Sequence, residues 1–87
     1  MADTVTITVR YFAALREALG ASEQVSLPAG STLSQLRDAL IARGAPHADV
    51  LMRGRALRCA LNQVMADEAT AVPAGAEVAF FPPVTGG

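Results

Sequence analysis

The chain opens on strict alternation. In Thr4-Val5-Thr6-Ile7-Thr8-Val9-Arg10, Val5, Ile7 and Val9 share one face. A period of two among β-branched residues predicts a strand with one side on a core. The period then lengthens. Phe12, Leu15 and Leu19 recur at helical spacing and Gly20 follows as a stop, predicting a short helix of about two turns. Alternation returns at Gln24-Val25-Ser26-Leu27, a second strand antiparallel to the first. Pro28-Ala29-Gly30 reads as a turn, with Pro at the second position and Gly at the fourth. Thr32 and Gln35 have capping-box spacing. Leu33, Leu36 and Leu40 mark the inner face of the main helix, and Arg37, Asp38 and Arg43 its other face. Gly44 ends that helix and Pro46 prevents its resumption.

Residues 45–56 carry little pattern. Leu57-Arg58-Cys59-Ala60-Leu61 predicts a third strand, and Asn62-Gln63 a tight turn into a short strand at Val64-Met65. Residues 67–70 suit a single helical turn, and Val72-Pro73-Ala74-Gly75 repeats the turn chemistry of residues 27–30. The last run, Ala76-Glu77-Val78-Ala79-Phe80-Phe81, is apolar on both faces, which predicts a central strand beside the first. A hairpin, a right-handed crossover through the helix and a final strand parallel to the first follow from this order. The fold class is α+β: a mixed sheet of four to five strands on one main helix, the β-grasp or ubiquitin-like architecture.

Composition narrows the function. A chain of 87 residues is one small domain, burying only ~60–65% of its unfolded surface. Tyr11, Phe12, Phe80 and Phe81 are its only aromatics, and their placement predicts that the two ends of the chain meet. A net charge of −1 without a strongly basic stretch argues against nucleic acid. Arg53, Arg55 and Arg58 form the only basic cluster, read first as a solvated loop and otherwise as a docking patch for an acidic partner. Cys59 is alone, so no intrachain disulfide can form; a reducing cytosol fits, and alternation with Leu57 and Leu61 makes it a small core residue. His47 is also alone, which leaves too few ligands for an ordinary zinc site. No signal peptide or membrane span is expected, and the cytoplasm is the expected location. All seven basic residues are Arg. Composition bias explains that, though a chain without lysines also avoids acylating itself.

The most specific stretch is Phe80-Phe81-Pro82-Pro83-Val84-Thr85-Gly86-Gly87. Two prolines favour a stiff extended exit from the last strand. Two glycines, without Cβ atoms, make a tip that passes a narrow channel. A rigid launch and a thin tip suit a carboxylate presented to another protein's active site. A bare Gly-Gly end would read as a frayed terminus; the aromatics and double proline weigh against that.

This ending, with Ala79, resembles that of the small-subunit family of molybdopterin synthase, sulfur carriers of β-grasp fold. Tyr11-Phe12-Ala13 with Arg16-Glu17 resembles its first strand–helix junction, and Leu61-Asn62-Gln63 its later hairpin. The resemblance implies that an E1-like enzyme using ATP adenylates Gly87, and that a sulfur donor protein converts it to a thiocarboxylate (a C-terminal 1-thioglycine). The tail would then enter the large subunit, within a two-plus-two heterotetramer, and its sulfur would attack cyclic pyranopterin monophosphate. The carrier itself binds no cofactor and performs little catalysis. Gly87 is the attachment site, Gly86 keeps the tip thin, Thr85 and Val84 contact channel walls, and Pro82 and Pro83 hold the tail extended. Phe80 and Phe81 fall on opposite faces, one in the core and the other open to a partner. The chain divides into a β-grasp domain, 1–81, and a tail, 82–87. Alternatives are a carrier for a thiamine, cysteine or tungsten-cofactor pathway, a ubiquitin-like modifier, or an interaction module with an inert tail.

Overall fold

The opening alternation becomes β1 (Thr4–Tyr11), with Ile7, Val9 and Tyr11 buried. The computed structural model describes residues 3–83; Val84, Thr85, Gly86 and Gly87 lie outside them. β2 (Ser22–Pro28) pairs antiparallel with β1, placing Val5 opposite Leu27 and Ile7 opposite Val25. β5 (Glu77–Phe81) lies on the other side of β1 and parallel to it, from Thr8 opposite Glu77 to Tyr11 opposite Phe80. β3 (Arg58–Leu61) is antiparallel to β5, and β4 (Val64–Ala66) is antiparallel to β3. The order β2-β1-β5-β3-β4 puts the last strand at the centre of a mixed sheet, the β-grasp arrangement.

The core lies between the sheet and α2 (Leu33–Ile41). Leu33, Leu36 and Leu40 are each 0% exposed and pack in one cluster with Val9, Val78 and Phe80. Full burial of each leucine contributes about 1.5–3 kcal/mol. The capping box forms: Gln35 N donates to Thr32 Oγ1 at 3.2 Å, and Thr32 N to Gln35 Oε1 at 2.8 Å. The next free donors of α2 are met by backbone, Leu33 N by Thr70 O at 3.0 Å and Ser34 N by Glu68 O at 2.8 Å. The aromatic ends meet as expected, since Tyr11 and Phe80 are register partners.

Several local expectations change. α1 covers only Ala14–Leu19, so Phe12 precedes the helix and is 38% exposed. The cause is Ala13, at φ 55° and ψ −132°, which turns the backbone before the helix begins. Arg37 is not on a solvent face: it is 4% exposed. The unpatterned stretch contains a short helix, α3 (His47–Leu51), whose Leu51 closes the core. Residues 67–70 are a turn rather than a helical turn, with Thr70 N donating to Asp67 O at 3.1 Å and Ala69 N to the Asp67 side chain at 2.9 Å. Both Pro-Ala-Gly turns sit one residue later than their composition suggests. Ser31 N donates to Pro28 O and Ala76 N to Pro73 O. Gly30 (φ 85°) and Gly75 (φ 76°) therefore hold the third position, where type II turns need positive φ. Asn62 and Gln63 both take positive φ, as a two-residue hairpin turn requires.

Candidate functional site at the root of the tail

The tail departs from the end of β5. Phe80 points inward, 1% exposed, while Phe81 lies on the outer face, half-buried and opposite Arg58 of β3. Pro82 and Pro83 follow, also half-buried. The structure thus settles which phenylalanine is core. Phe12 stands beside them because Phe12 N donates to Phe80 O at 3.3 Å. Its carbonyl accepts from Leu15 N and Arg16 N, which starts α1 at once. A non-glycine backbone such as that of Ala13 costs about 1–3 kcal/mol. Its effect here is to turn the Phe12 ring outward, where the Arg10 guanidinium lies 5.5 Å from the ring centroid. Phe12, Ala13, Phe81, Pro82 and Pro83 line an apolar cleft. A second cleft, lined by Leu15, Val50, Arg55 and Leu57 among others, opens on the other side of Pro82.

Arg37 ties down the 51–55 segment, whose Arg55 lines that second cleft. Its Nε donates to Leu51 O at 2.6 Å, and its Nη2 to Met52 O at 2.8 Å and Arg55 O at 3.1 Å. Its Nη1 pairs with Glu68 at 2.9 Å. Arg53 pairs with Glu68 as well, and with Asp38 at 2.9 Å. Burial alone would raise the Glu68 carboxyl; hydrogen bonds from Arg53 and Arg37, with their charges, outweigh it and lower its pKa. The basic cluster is therefore not uniformly solvated. Arg53 is spent on an intramolecular network, whereas Arg55 and Arg58 make no salt bridge among the described residues.

A second network holds the end of β1. Tyr11 Oη donates to Glu23 Oε2 at 2.7 Å, and His47 Nε2 lies 2.8 Å from the same oxygen. Arg43 Nη1 donates to Glu23 Oε1 at 2.5 Å. Burial works to raise the Glu23 pKa, but bonds from His47, Tyr11 and Arg43 and the Arg43 charge prevail, holding it at about 2. Burial, reinforced by the bond to Glu23 and its charge, pushes the Tyr11 hydroxyl well above the ordinary phenol range. His47, unassigned by its spacing, thus ties α3 to Glu23 of β2 and, through that carboxylate, to Tyr11 at the end of β1. Nothing in its sequence neighbourhood marks that role.

The chemistry available within the described residues is limited. Cys59 is buried, its Sγ 3.3 Å from Ala66 O, and burial followed by the charges of Glu68 and Asp67 pushes its thiol up. The lone imidazole is engaged with Glu23. Neither supplies a nucleophile–base pair of the kind that acyl chemistry uses. Among the described residues, no cluster of three or more His, Cys, Asp and Glu side chains could hold a metal ion. No described helix is long and apolar enough to cross a membrane. The sequence-derived residues Phe81, Pro82 and Pro83 come together with Phe12, and Phe80 does not join them. Gly87, Gly86, Thr85 and Val84 lie outside the described residues.

Known proteins share this fold. The chain is 37% identical over 81 residues to the molybdopterin synthase sulfur carrier subunit of Haemophilus influenzae, covering 93% of this chain and 99% of that protein. SAMP1 of Haloferax volcanii, a small archaeal modifier protein, superposes with a TM-score of 0.75 at 27% identity, over 94% of this chain and 99% of that one. A Helicobacter pylori complex of subunits 1 and 2 of molybdopterin-converting factor contains a chain matching with a TM-score of 0.61 at 26% identity, over 95% of this chain and 100% of that one. A family model matches residues 9–87, from within β1 through the Gly-Gly ending, and by that match the chain belongs to the ThiS family.

Proposed function

We infer that this chain is the sulfur carrier subunit of a molybdopterin synthase. The observation that carries the reading is its 37% identity, along almost its full length, to a sulfur carrier subunit of that synthase. In this reading the α-carboxylate of Gly87 is the working group. A carboxylate is a poor acyl donor, since its leaving group would be oxide. An E1-like partner uses ATP to form the acyl adenylate, and a sulfur donor protein displaces AMP to leave a thiocarboxylate. That sulfur is soft, anionic and nucleophilic at neutral pH. The large subunit admits the tail, and the sulfur attacks cyclic pyranopterin monophosphate. Hydrolysis returns Gly87 to the carboxylate.

The root geometry supports such a role. Pro82 and Pro83 leave the end of the central strand β5 beside an apolar cleft, so a partner gripping Phe12 and Phe81 gains a fixed starting point for the tail. Gly86 leaves the tip narrow, and Val84 and Thr85 are assigned to the channel walls. The chain supplies the reacting atom and the partners supply acid–base groups, in keeping with the buried Cys59 and the engaged His47.

A second reading, a protein modifier that forms isopeptide bonds, is favoured by the likeness to SAMP1. One experiment separates the two. The full chain is incubated with ATP, an adenylating enzyme and a sulfur donor, and its intact mass is read beside a Gly87-deleted control. Exchange of one oxygen for sulfur in the full chain only, followed by consumption when large subunit and precursor are added, is the expected result. Absence of that exchange, with an activating enzyme proven on another carrier, sinks the carrier reading. Cellular conjugates that require Gly87 would favour the modifier.

A further inference from the structure

The turn into α1 holds a strain that burial within the chain does not offset. Leu15 N donates to Phe12 O at 3.1 Å, closing a turn over Ala13 and Ala14. Ala13 takes its first central position, at φ 55° and ψ −132°. Those are the torsions of a type II′ turn, where glycine is the ordinary occupant. Elsewhere the chain uses glycine for such angles. Gly20 (φ 93°) and Gly44 (φ 80°) do so although a Cβ at either would meet open space. Asn62 and Gln63, the other non-glycine residues with positive φ among those described, share the hairpin turn. There Asn62 puts its side chain to use, Oδ1 accepting from Glu77 N at 2.9 Å.

Ala13 has no such compensation. A methyl group forms no hydrogen bond, and Ala13 is exposed and outside the hydrophobic core. What the residue does line is the cleft at the root of the tail, with Phe12, Phe81, Pro82 and Pro83. That lining is almost wholly carbon, whereas Arg55 takes part in the neighbouring cleft. An uncharged, carbon-lined cleft fits an uncharged apolar side chain, since a charged one would be desolvated there without a partner. Phe12, 38% exposed, is turned toward the same side by the same turn.

We propose that Ala13 is a contact residue: an apolar side chain of the large subunit covers its methyl group, which the strained turn presents in the cleft. This rests on the reading of the chain as the carrier subunit. The methyl group strains the free chain and is offset only in the complex. Stability and affinity are therefore opposed at this position. Glycine relieves the turn and removes the contact.

The test titrates the full chain into the large subunit by calorimetry, as wild type, Ala13→Gly and Ala13→Asn. Urea unfolding of each free chain runs alongside. Ala13→Gly should bind about fourfold more weakly, the worth of one buried methyl group, while its free chain is the more stable. Asparagine tolerates positive φ and suits a helix N-cap, so Ala13→Asn should stay folded. It should bind at least about tenfold more weakly, because its carboxamide enters an apolar contact without a hydrogen-bond partner. A purely structural role would move stability and affinity in the same direction. Ala13→Gly binding as tightly as wild type overturns the proposal, and so does Ala13→Asn at wild-type affinity. A free wild-type dimer that Ala13→Asn dissociates would also overturn it, giving the cleft to a second copy. Failure of the carrier reading shows separately, as a wild-type chain that the large subunit does not bind.

Discussion

Replacing Arg37 by methionine tests whether a buried guanidinium organises the wall beside the tail. Methionine keeps the stem's packing and removes the fork. Four contacts are lost, and they differ in worth. Leu51 is 0% exposed, so its carbonyl, 2.6 Å from Nε, has no water to turn to; losing a bond to a charged donor there costs about 1.5–3 kcal/mol. Met52 and Arg55 are exposed, and water can partly replace the donor at their carbonyls, at about 0.5–1 kcal/mol each. Glu68 retains Arg53, so its loss adds at most about 1 kcal/mol. The sum is about 2.5–6 kcal/mol, which brackets the range for removing one member of a buried ion pair. In a chain of this size that lowers Tm by at least about 10 °C. Urea unfolding followed by circular dichroism reads it, with Arg53→Ala as the exposed control at about 1 kcal/mol or less. Arg37→Lys keeps the charge without the fork and should recover less than half of the loss. Destabilisation by Arg37→Met within about 1 kcal/mol of zero would refute the assignment.

The Glu23 network makes acid stability a second test. Its folded pKa, about 2, lies below the ordinary value of 4.5. The unfolded carboxyl therefore binds its proton first as pH falls, and the stabilisation, full above about pH 5, is lost progressively toward pH 2. Glu23→Gln should flatten that slope, removing at most about 3 kcal/mol at neutral pH; an unchanged slope between pH 5 and pH 2 would dismiss the network. Ala13→Gly should stabilise the fold by about 0.5–1 kcal/mol, since glycine adopts that backbone without strain but loses more entropy on folding. A destabilised Ala13→Gly in urea titration would show that the methyl group itself packs. Phe81→Asp, on the outer face of β5, should leave Tm within a few degrees but weaken binding to the large subunit at least about tenfold; calorimetry showing unaltered affinity would move the contact elsewhere.

Local periodicity made most of the scaffold legible. Val5, Ile7 and Val9 announced β1, and the leucines at 33, 36 and 40 announced α2 and its buried face. A final strand apolar on both faces placed β5 beside β1, parallel to it. The alternation and the leucine stripe depend on neighbours two to four residues apart, so the sequence carries them alone, and the order of the elements carries the parallel pairing. It also carries the tail, whose prolines and glycines are chemical statements in themselves. The absence of lysine belongs here too.

What tertiary structure decided concerns partners distant in the chain. Periodicity grouped Arg37 with polar residues, but the 51–55 segment folds over it and turns its polarity inward, because three backbone carbonyls there need a donor. Phe12 had helical spacing with Leu15, yet the turn at Ala13 detaches it and sets it beside Phe81, some seventy residues away in sequence. His47 had no motif; its role came from Glu23 and Tyr11 converging on it from two strands. Alternation said that Phe80 and Phe81 face opposite ways. Only the helices covering one face of the sheet decided that Phe80 is core and Phe81 is open, because a strand's pattern is symmetric until something packs on one side.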